Sequence, residues 1–547
     1  MITDELAYRI QQAMGLDPTP EQQQAIVAFS SFMTSHQRQP VMLLTGSAGT
    51  GKTTLAAAIV KGLKSLGQKL VLLAPTGRAA KVFAQYSGVQ AYTIHRRIYR
   101  QRQAGDPMSG SFQLNYNVAQ DTLFLVDEAS MVSNGAGASG GFPAEKQRPM
   151  DFGSGRLLDD LIEYVYGGKG CRLMLIGDRA QLPPVGEEES PALMAEVLRS
   201  YWLTVYEAHL TQVLRQAEDS GILWNATRVR YSLLNAELPK VRFRGFPDIH
   251  IVRGDELIDQ LGTSYAHAGT DETIVITRSN KRANIYNDGI RRTVLDRDGE
   301  LCSGDMLMIV KNNYSFKEER GERREEENST RYEVRGAKYE DSLEAEEVAQ
   351  SNLVPRTSHL EPRNATAKSQ KPTLDFLANG DRCVVRRVRN EQQLYGFRFA
   401  DVTFTLPDYD DLELTLTMLL DTLHSEAPAL TRQQQMQLFE GVMADYQDIR
   451  YKSERMKKLK EDRFYNALQV KYAYAVTCHK AQGGQWEHVY VDQGYMTDDM
   501  LTPDYIHWLY TAFTRATDCL FLVNWPEKQV DNVQCSAVSP PSNNDQL

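Results

Sequence analysis

The chain has 547 residues, 42% hydrophobic and 24% charged, a formal charge of −10 and six cysteines. At roughly 100–200 residues per domain that length predicts three or four domains. No apolar run reaches the roughly 18 residues of a membrane helix, the first six residues are no signal peptide, and no C-x-x-C pair occurs, so a membrane protein, a disulfide framework and a zinc or iron–sulfur cluster are disfavoured and a cytoplasmic location is expected.

Thr19, Pro20 and Glu21 open a helix as N-cap, first position and first-turn acid. A capped helix start explains that segment by itself; the functional alternative is that Gln22 contacts an adenine. Residues 41–44 then form an apolar strand that runs into Gly46-Ser47-Ala48-Gly49-Thr50-Gly51-Lys52-Thr53, a fit to G-x-x-x-x-G-K-[ST] at each fixed position. Leu55, Ile59, Val60 and Leu63 recur behind it at helical spacing. A glycine-rich turn between strand and helix brings backbone N–H groups onto phosphate oxygens at the helix's positive end. Residues Gly46 through Thr54 are therefore expected to bind ATP, with Lys52 on the β- and γ-phosphates and the Thr53 hydroxyl on Mg²⁺.

Residues 70–74 are a second buried strand, so strand, helix and strand make a parallel βαβ unit with a right-handed crossover. Just past its end come Pro75, Thr76 and Arg78, on the edge where open α/β sheets place their ligands. Thr76 and Arg78 are candidates for a ligand phosphate there, and Thr93, His95, Arg96 and Arg97 add donors. Residues 123–126 form a third strand ending in Asp127 and Glu128. Acids in that place suit a metal-holding carboxylate (Asp127) and a base that orients and deprotonates the attacking water (Glu128). Residues 134–155 are glycine-rich and read as a loop. A fourth strand, 172–176, leads to Gly177-Asp178 and on to Gln181-Leu182-Pro183-Pro184. Gln181 either senses the γ-phosphate or sits in a proline-stiffened turn, and taken alone the turn is the better reading.

A second α/β unit, without its own phosphate loop, has candidate strands at 274–277, 488–491 and 520–523. Thr502 and Pro503 start a helix whose apolar stripe is Ile506, Leu509, Tyr510 and Phe513, and Arg515 near its end is placed to act as an arginine finger in cis. The intervening insertion, 303–469, holds strand-like pieces that suggest a small β-barrel. Within it, 317–371 is charged, aromatic-poor and expected to be flexible. Much of the excess acid sits there, so the net charge does not exclude a basic groove elsewhere. The tail, 531–547, reads as disordered.

In content and order these motifs resemble those of superfamily 1 helicases, and within them the RecD/TraI/Dda group that moves 5′ to 3′ on single-stranded DNA. Gln22 is similar to the Q-motif glutamine, residues 46–53 to motif I, 75–80 to motif Ia, 93–95 to the DNA-contacting segment after it, Asp127-Glu128 to motif II and 177–184 to motif III. Residues 210–216 resemble motif IV, 476–483 motif V and 510–516 motif VI. Gln485 departs from the glutamate common in the family.

The resemblance implies an α/β fold with two RecA-like domains, 1–207 and 208–302 plus 470–530. A small hairpin insertion at about 96–121 belongs to the first and an SH3-like β-barrel, 303–469, to the second. It implies γ-phosphate contacts from Arg215 and Arg515, a nucleotide contact at Gly483, and DNA contacts from Pro75, Thr76, Arg78, Thr93, His95, Thr477, His479 and Lys480. Phe112, beside a turn at 105–110, is a candidate strand-separating pin. The activity implied is ATP-dependent unwinding with ATP and Mg²⁺ as cofactors and with single-stranded DNA and single-strand/duplex junctions as partners. The alternatives weighed are a protein-remodelling ATPase, a non-hydrolysing DNA-binding subunit, and a DNA-stimulated ATPase subunit of a larger repair or recombination complex.

Overall fold

The computed structural model describes residues 2–101, 112–135, 154–212, 220–235, 239–313, 377–409, 411–497 and 500–531. The first sheet is built from β1 (Pro40–Gly46), β2 (Lys69–Ala74) and β3 (Ala91–Thr93). The strands β4 (Tyr99–Gln101) and β5 (Phe112–Leu114) form a separate antiparallel pair, and β6 (Thr122–Val126), β7 (Arg172–Gly177) and β8 (Thr204–Leu210) complete the sheet. Its order is β3-β2-β6-β7-β1-β8, parallel throughout. Side chains alternate between faces along a strand, and here both faces are covered. Val41 and Leu43 join one buried cluster with Phe124, Val126, Leu173 and Leu175. Met42 and Leu44 join another with Leu123, Leu125, Met174 and Ile176. That double burial is why these segments read as unbroken apolar runs.

Three neighbouring strands, β6, β7 and β1, end at one edge, and the loops that follow them carry Asp127-Glu128, Asp178–Gln181 and the phosphate loop. The edge strand β8 was not marked by the sequence. It alternates polar and apolar residues, Thr-Val-Tyr-Glu-Ala-His-Leu, because much of it is only half-buried.

Further along are β9 (Ile249–Val252), β10 (Thr273–Thr277), β11 (Met306–Ile309), β12 (Arg382–Leu394), β13 (Phe397–Leu406), β14 (Leu412–Leu419), β15 (Leu468–Tyr472), β16 (Ala475–Thr477), β17 (Trp486–Asp492) and β18 (Ala516–Val523). A second parallel sheet has the order β16-β10-β17-β18-β9. Between β10 and β16 in sequence, β11 to β15 close into a five-stranded barrel, antiparallel except where β14 meets β15. The architecture is thus two parallel α/β sheets with a hairpin inserted in the first half and a barrel in the second. A separate unit, 312–377, is described only at its ends, where Asn313 and Leu377 pair in an isolated bridge. The charged segment 317–371, the turn at 105–110, most of the loop at 134–155 and the tail beyond 531 lie outside the described residues.

Candidate functional site

The phosphate loop is shaped by its glycines. Gly46 ends β1 against Leu210, whose carbonyl oxygen would lie 2.5 Å from a Cβ placed there, so the position admits no side chain. Gly51 holds φ at +80° and caps the helix Lys52–Ser65 without a side-chain bond. The first N–H groups of that helix are left for an anion. Lys52 Nζ donates to the carbonyl oxygens of Gly46 (2.8 Å) and Ser47 (2.7 Å), and burial pushes its amine below the ordinary lysine range. Gln22 performs the capping role and also reaches the loop. Its Oε1 accepts from the Thr19 N–H (3.1 Å) and its Nε2 donates to the Thr50 carbonyl (3.2 Å).

Beside the loop, β6 delivers Asp127 and Glu128. Glu128 sits at φ +53°, a left-handed conformation that costs a non-glycine residue about 1–3 kcal/mol and is held where surroundings enforce it. Its N–H donates to Asp127 Oδ1 at 2.9 Å. Burial, and then the neighbouring Glu128 carboxylate, push the Asp127 carboxyl up to about 7. Asp127 and Glu128 offer adjacent carboxylate oxygens, the donor type a hard divalent cation takes. A bound cation would relieve the repulsion that now favours the protonated Asp127.

After β7 the chain turns toward the second sheet. Asp178 is fully buried; it accepts from the Tyr510 hydroxyl (2.6 Å), the Ala180 N–H (3.1 Å) and Arg230 Nη1 (3.4 Å). Tyr510 in turn accepts from the Ala48 N–H of the phosphate loop at 2.9 Å. Arg230, on the helix Gly221–Asn235, also donates to the Ser47 hydroxyl. Nearby, Leu182 N–H donates to Thr511 Oγ1 (2.8 Å), Gln482 Nε2 to the Leu182 carbonyl (2.9 Å), and His507 Nδ1 lies 2.9 Å from the Ala180 carbonyl. The helix Pro503–Phe513 is accordingly buried from Tyr505 to Phe513. Gln181 lies inside this seam, 5% exposed, and its Oε1 meets no donor among the described residues.

Arg515 is 4% exposed and directs its guanidinium to the Thr511 carbonyl (3.0 Å), the Gly484 carbonyl (3.2 Å) and Thr514 Oγ1 (3.0 Å). It braces the second sheet's own loop. Among the described residues, the side chains from that half that hydrogen-bond to the phosphate loop are Tyr510 and Arg230, neither of which the sequence singled out for this place. Tyr510 stood in an apolar stripe and at the head of the segment 510–516 that resembles motif VI, and Arg230 was not marked in the sequence. Gly483, at φ +74°, faces Ala79, whose Cβ would lie 3.1 Å from a side chain there. Arg215 lies outside the described residues.

Two of the candidate DNA contacts act as helix caps. Thr76 accepts from the Ala79 N–H (3.2 Å) at the start of the helix Gly77–Ser87, and Thr93 from the Arg96 N–H (3.3 Å) at the start of Ile94–Ile98. Arg78 stacks its guanidinium 4.2 Å above the Trp486 ring, joining the loop after β2 to the start of β17, and burial lowers its pKa to about 10. Pro75 is half-buried at the strand end. Burial pushes the half-buried His95 down to about 4, so its imidazole is neutral at pH 7. Phe112 begins β5. Thr477 precedes the short helix Cys478–Ala481, His479 is exposed, and Lys480 shares a small cavity with Lys471, Asn284, Asn287 and Thr477. Burial lowers both lysines to about 8, Lys480 also through the charge of Lys471.

Residues 18–138 match a family model described as an AAA domain, and residues 472–523 one described as a UvrD-like helicase C-terminal domain. The ATP-dependent RecD2 DNA helicase of Deinococcus radiodurans is 30% identical over 199 residues, 36% of this chain and 22% of its own length. The ATP-dependent DNA helicase dda of Enterobacteria phage T4 is 24% identical over 281 residues, 49% of this chain and 55% of its own. The chain thus aligns with 22% and 55% of the lengths of these curated relatives. A solved structure of two Pif1 helicases at forked duplex DNA aligns over 94% of both chains at 14% identity with a TM-score of 0.43.

Proposed function

From a chain that belongs with the RecD- and Dda-like helicases of superfamily 1, we propose an ATP-driven motor that moves 5′ to 3′ on single-stranded DNA and opens duplex ahead of it. The observation that carries the motor reading is the phosphate loop after β1 held by side chains of the second half, Tyr510 on Ala48 and Arg230 on Ser47; the 5′-to-3′ direction rests on the resemblance of residues 75–80 and 93–95 and on the barrel placed before 476–483. A nucleotide site shared across two halves converts the making and breaking of a phosphate bond into relative movement of those halves.

In this reading the segment through β8, which ends at Leu210, forms one motor half and the second sheet, β9, β10 and β16 to β18, the other, in the cytoplasm; the expected boundaries at 207/208 and 469/470 fall inside β8 and the barrel strand β15. Lys52 and the loop N–H groups bind the β- and γ-phosphates, and Gln22 steadies the loop through Thr50. Thr53 and Asp127 hold Mg²⁺, which when bound neutralises charge on the phosphate oxygens. Glu128 takes the proton of the attacking water. The hydrogen bonds that join Ala180 and Leu182 to His507, Thr511 and Gln482 carry the change to the loop at 476–483. There His479 and Lys480, with His95 across the cleft, hold the DNA backbone, Pro75 lines its path, and Phe112 meets the duplex end. Such contacts are sequence-tolerant, since each nucleotide has a phosphate.

The test is a labelled duplex with a single-stranded tail, Mg-ATP and excess trap strand. The 5′-tailed substrate should open and the 3′-tailed one should not. Preferential opening of the 3′-tailed duplex would overturn the direction, and strong DNA-stimulated hydrolysis without opening of either would leave a translocase or an ATPase subunit of a larger complex.

A further inference from the structure

Neighbouring strands β17 and β18 bring together three side chains that the motor reading leaves unused. His488 and Cys519 are partners in the parallel register, as are Trp486 and Ala516, so β18 carries one more residue than β17 between the two pairs. Consecutive strand residues normally point to opposite faces, and an extra residue of this kind re-aims them. Here Asp518 Oδ2 lies 3.6 Å from the Sγ of its neighbour Cys519 and 3.6 Å from His488 Nε2. One ligand atom from each of the three lies within 4.8 Å of the other two. His488 is 7% exposed, and its Nδ1 is buried and meets no partner among the described residues. Nε2 is thus the end of that ring which faces polar atoms.

A direct N–H···O bond spans about 2.7–3.2 Å, so the imidazole and the carboxylate stand too far apart to make a good one. Zinc bonds of about 2.0–2.3 Å at tetrahedral angles put neighbouring ligand atoms about 3.4–3.6 Å apart, which is the separation seen here. Nitrogen, oxygen and sulfur together are the donors of a borderline-soft ion and not of Mg²⁺, which takes oxygen. Asp248 near Cys519 and Glu487 near His488 add negative charge. The exposed ring of His267, which ends the helix Leu257–His267, lies parallel to that of His488 at 5.6 Å and stands outside the set. The geometry points to a zinc-type site in which His488, Asp518 and Cys519 hold one divalent transition-metal ion tetrahedrally, with water in the fourth position. Cys519 binds as the thiolate, and its proton passes to solvent. The ion joins the start of β17 to the start of β18, the two strands that follow the segments 476–483 and 510–516. His488 is distant in sequence from Asp518-Cys519, so the site leaves no C-x-x-C spacing to be read.

The experiment uses the full chain, reduced, stripped of metal and returned to excess Mg²⁺ so that the carboxylates of the nucleotide site are occupied. Zn²⁺ is titrated against a chromophoric competitor, and Co²⁺ is added separately because its absorption reports thiolate ligation and tetrahedral geometry. The proteins are wild type, Cys519→Ala, Asp518→Ala and, as a control, Cys302→Ala, a partly exposed thiol outside the site. Wild type and Cys302→Ala should bind a single Zn²⁺ and give the cobalt–thiolate band. Loss of a partner behind a ligand costs about 10–100-fold in affinity, so loss of a ligand should cost at least about 100-fold, and Cys519→Ala should also lose the band. Zn²⁺ should raise the melting temperature of wild type and leave that of Cys519→Ala unmoved, since only the native site binds it. Should Cys519→Ala fold poorly, Asp518→Ala decides, because that side chain is 60% exposed. Wild type that binds no Zn²⁺, or variants at 518 and 519 that bind it as tightly as wild type, would overturn the assignment and leave the motor reading intact.

Discussion

Replacing Tyr510 by Phe removes one oxygen that serves both halves of the molecule. The hydroxyl donates to the buried Asp178 at 2.6 Å and accepts from the Ala48 N–H at 2.9 Å. A hydrogen bond to a charged group contributes about 1.5–3 kcal/mol. The Ala48 N–H lies at a half-buried position that water can reach, so its loss adds little. Asp178 keeps Ala180 and Arg230 as donors, so the variant should fold. The expected cost is therefore about 1.5–3 kcal/mol, borne by the seam and not by either sheet. Because a chain of several domains need not unfold in one step, the measurement is a double-mutant cycle. Wild type, Tyr510→Phe, Asp178→Asn and the double variant are unfolded in urea while fluorescence follows the five tryptophans, among them Trp508 on the same helix as Tyr510. A coupling energy below about 0.5 kcal/mol would refute the claim that this bond joins the halves.

Lys52→Ala should abolish hydrolysis yet keep single-stranded DNA binding in nucleotide-free buffer, measured by fluorescence anisotropy; loss of DNA binding would show that the two sites are not separate. Glu128→Gln should bind Mg-ATP but turn over about 10²–10⁴-fold more slowly, and near-normal turnover would remove Glu128 from the role of base. The Asp127 carboxyl, raised to about 7 in the fold from an unfolded value of about 3.9, binds more protons folded than unfolded between those limits. Its contribution to stability is present below about pH 4 and is lost as pH rises through about 7. Melting of the metal-free protein should show that decline relative to Asp127→Asn, with saturating Mg²⁺ flattening it. Parallel pH profiles for the two proteins would refute the raised pKa; Asp381, also pushed up to about 7 by burial, is common to both and cancels in the difference.

What the sequence by itself determined is whatever local patterning encodes. Strands β1, β2, β6 and β7 are buried on both faces at their centres, so they read as apolar runs, and the glycines of the phosphate loop are required by backbone geometry within a few residues. Four of the five barrel strands left a trace, Met306–Ile309 as an apolar run and Leu412–Leu419 by alternation, whereas β15 was not marked and the expected boundary at 469/470 cut through it. Edge strands were less visible: β9 alternates buried and exposed residues, and β16 is three residues long.

Side-chain assignment within the motifs was a different matter. Thr76 and Thr93 are caps at the same positions where motif reading placed DNA contacts, because one hydroxyl serves a helix start irrespective of what passes above it. Arg78 lies on Trp486, and Arg515 on the Gly484 carbonyl, through packing across the cleft and against a neighbouring loop. Only the tertiary structure put Tyr510 beside Asp178, 332 residues away, and Arg230 beside Ser47, 183 residues away. A hydrogen bond between groups so distant in the chain leaves no periodicity and no composition shift behind. It exists because two separately folded sheets bring their edges together, and that meeting is decided by the packing of whole faces and not by any single stretch of residues.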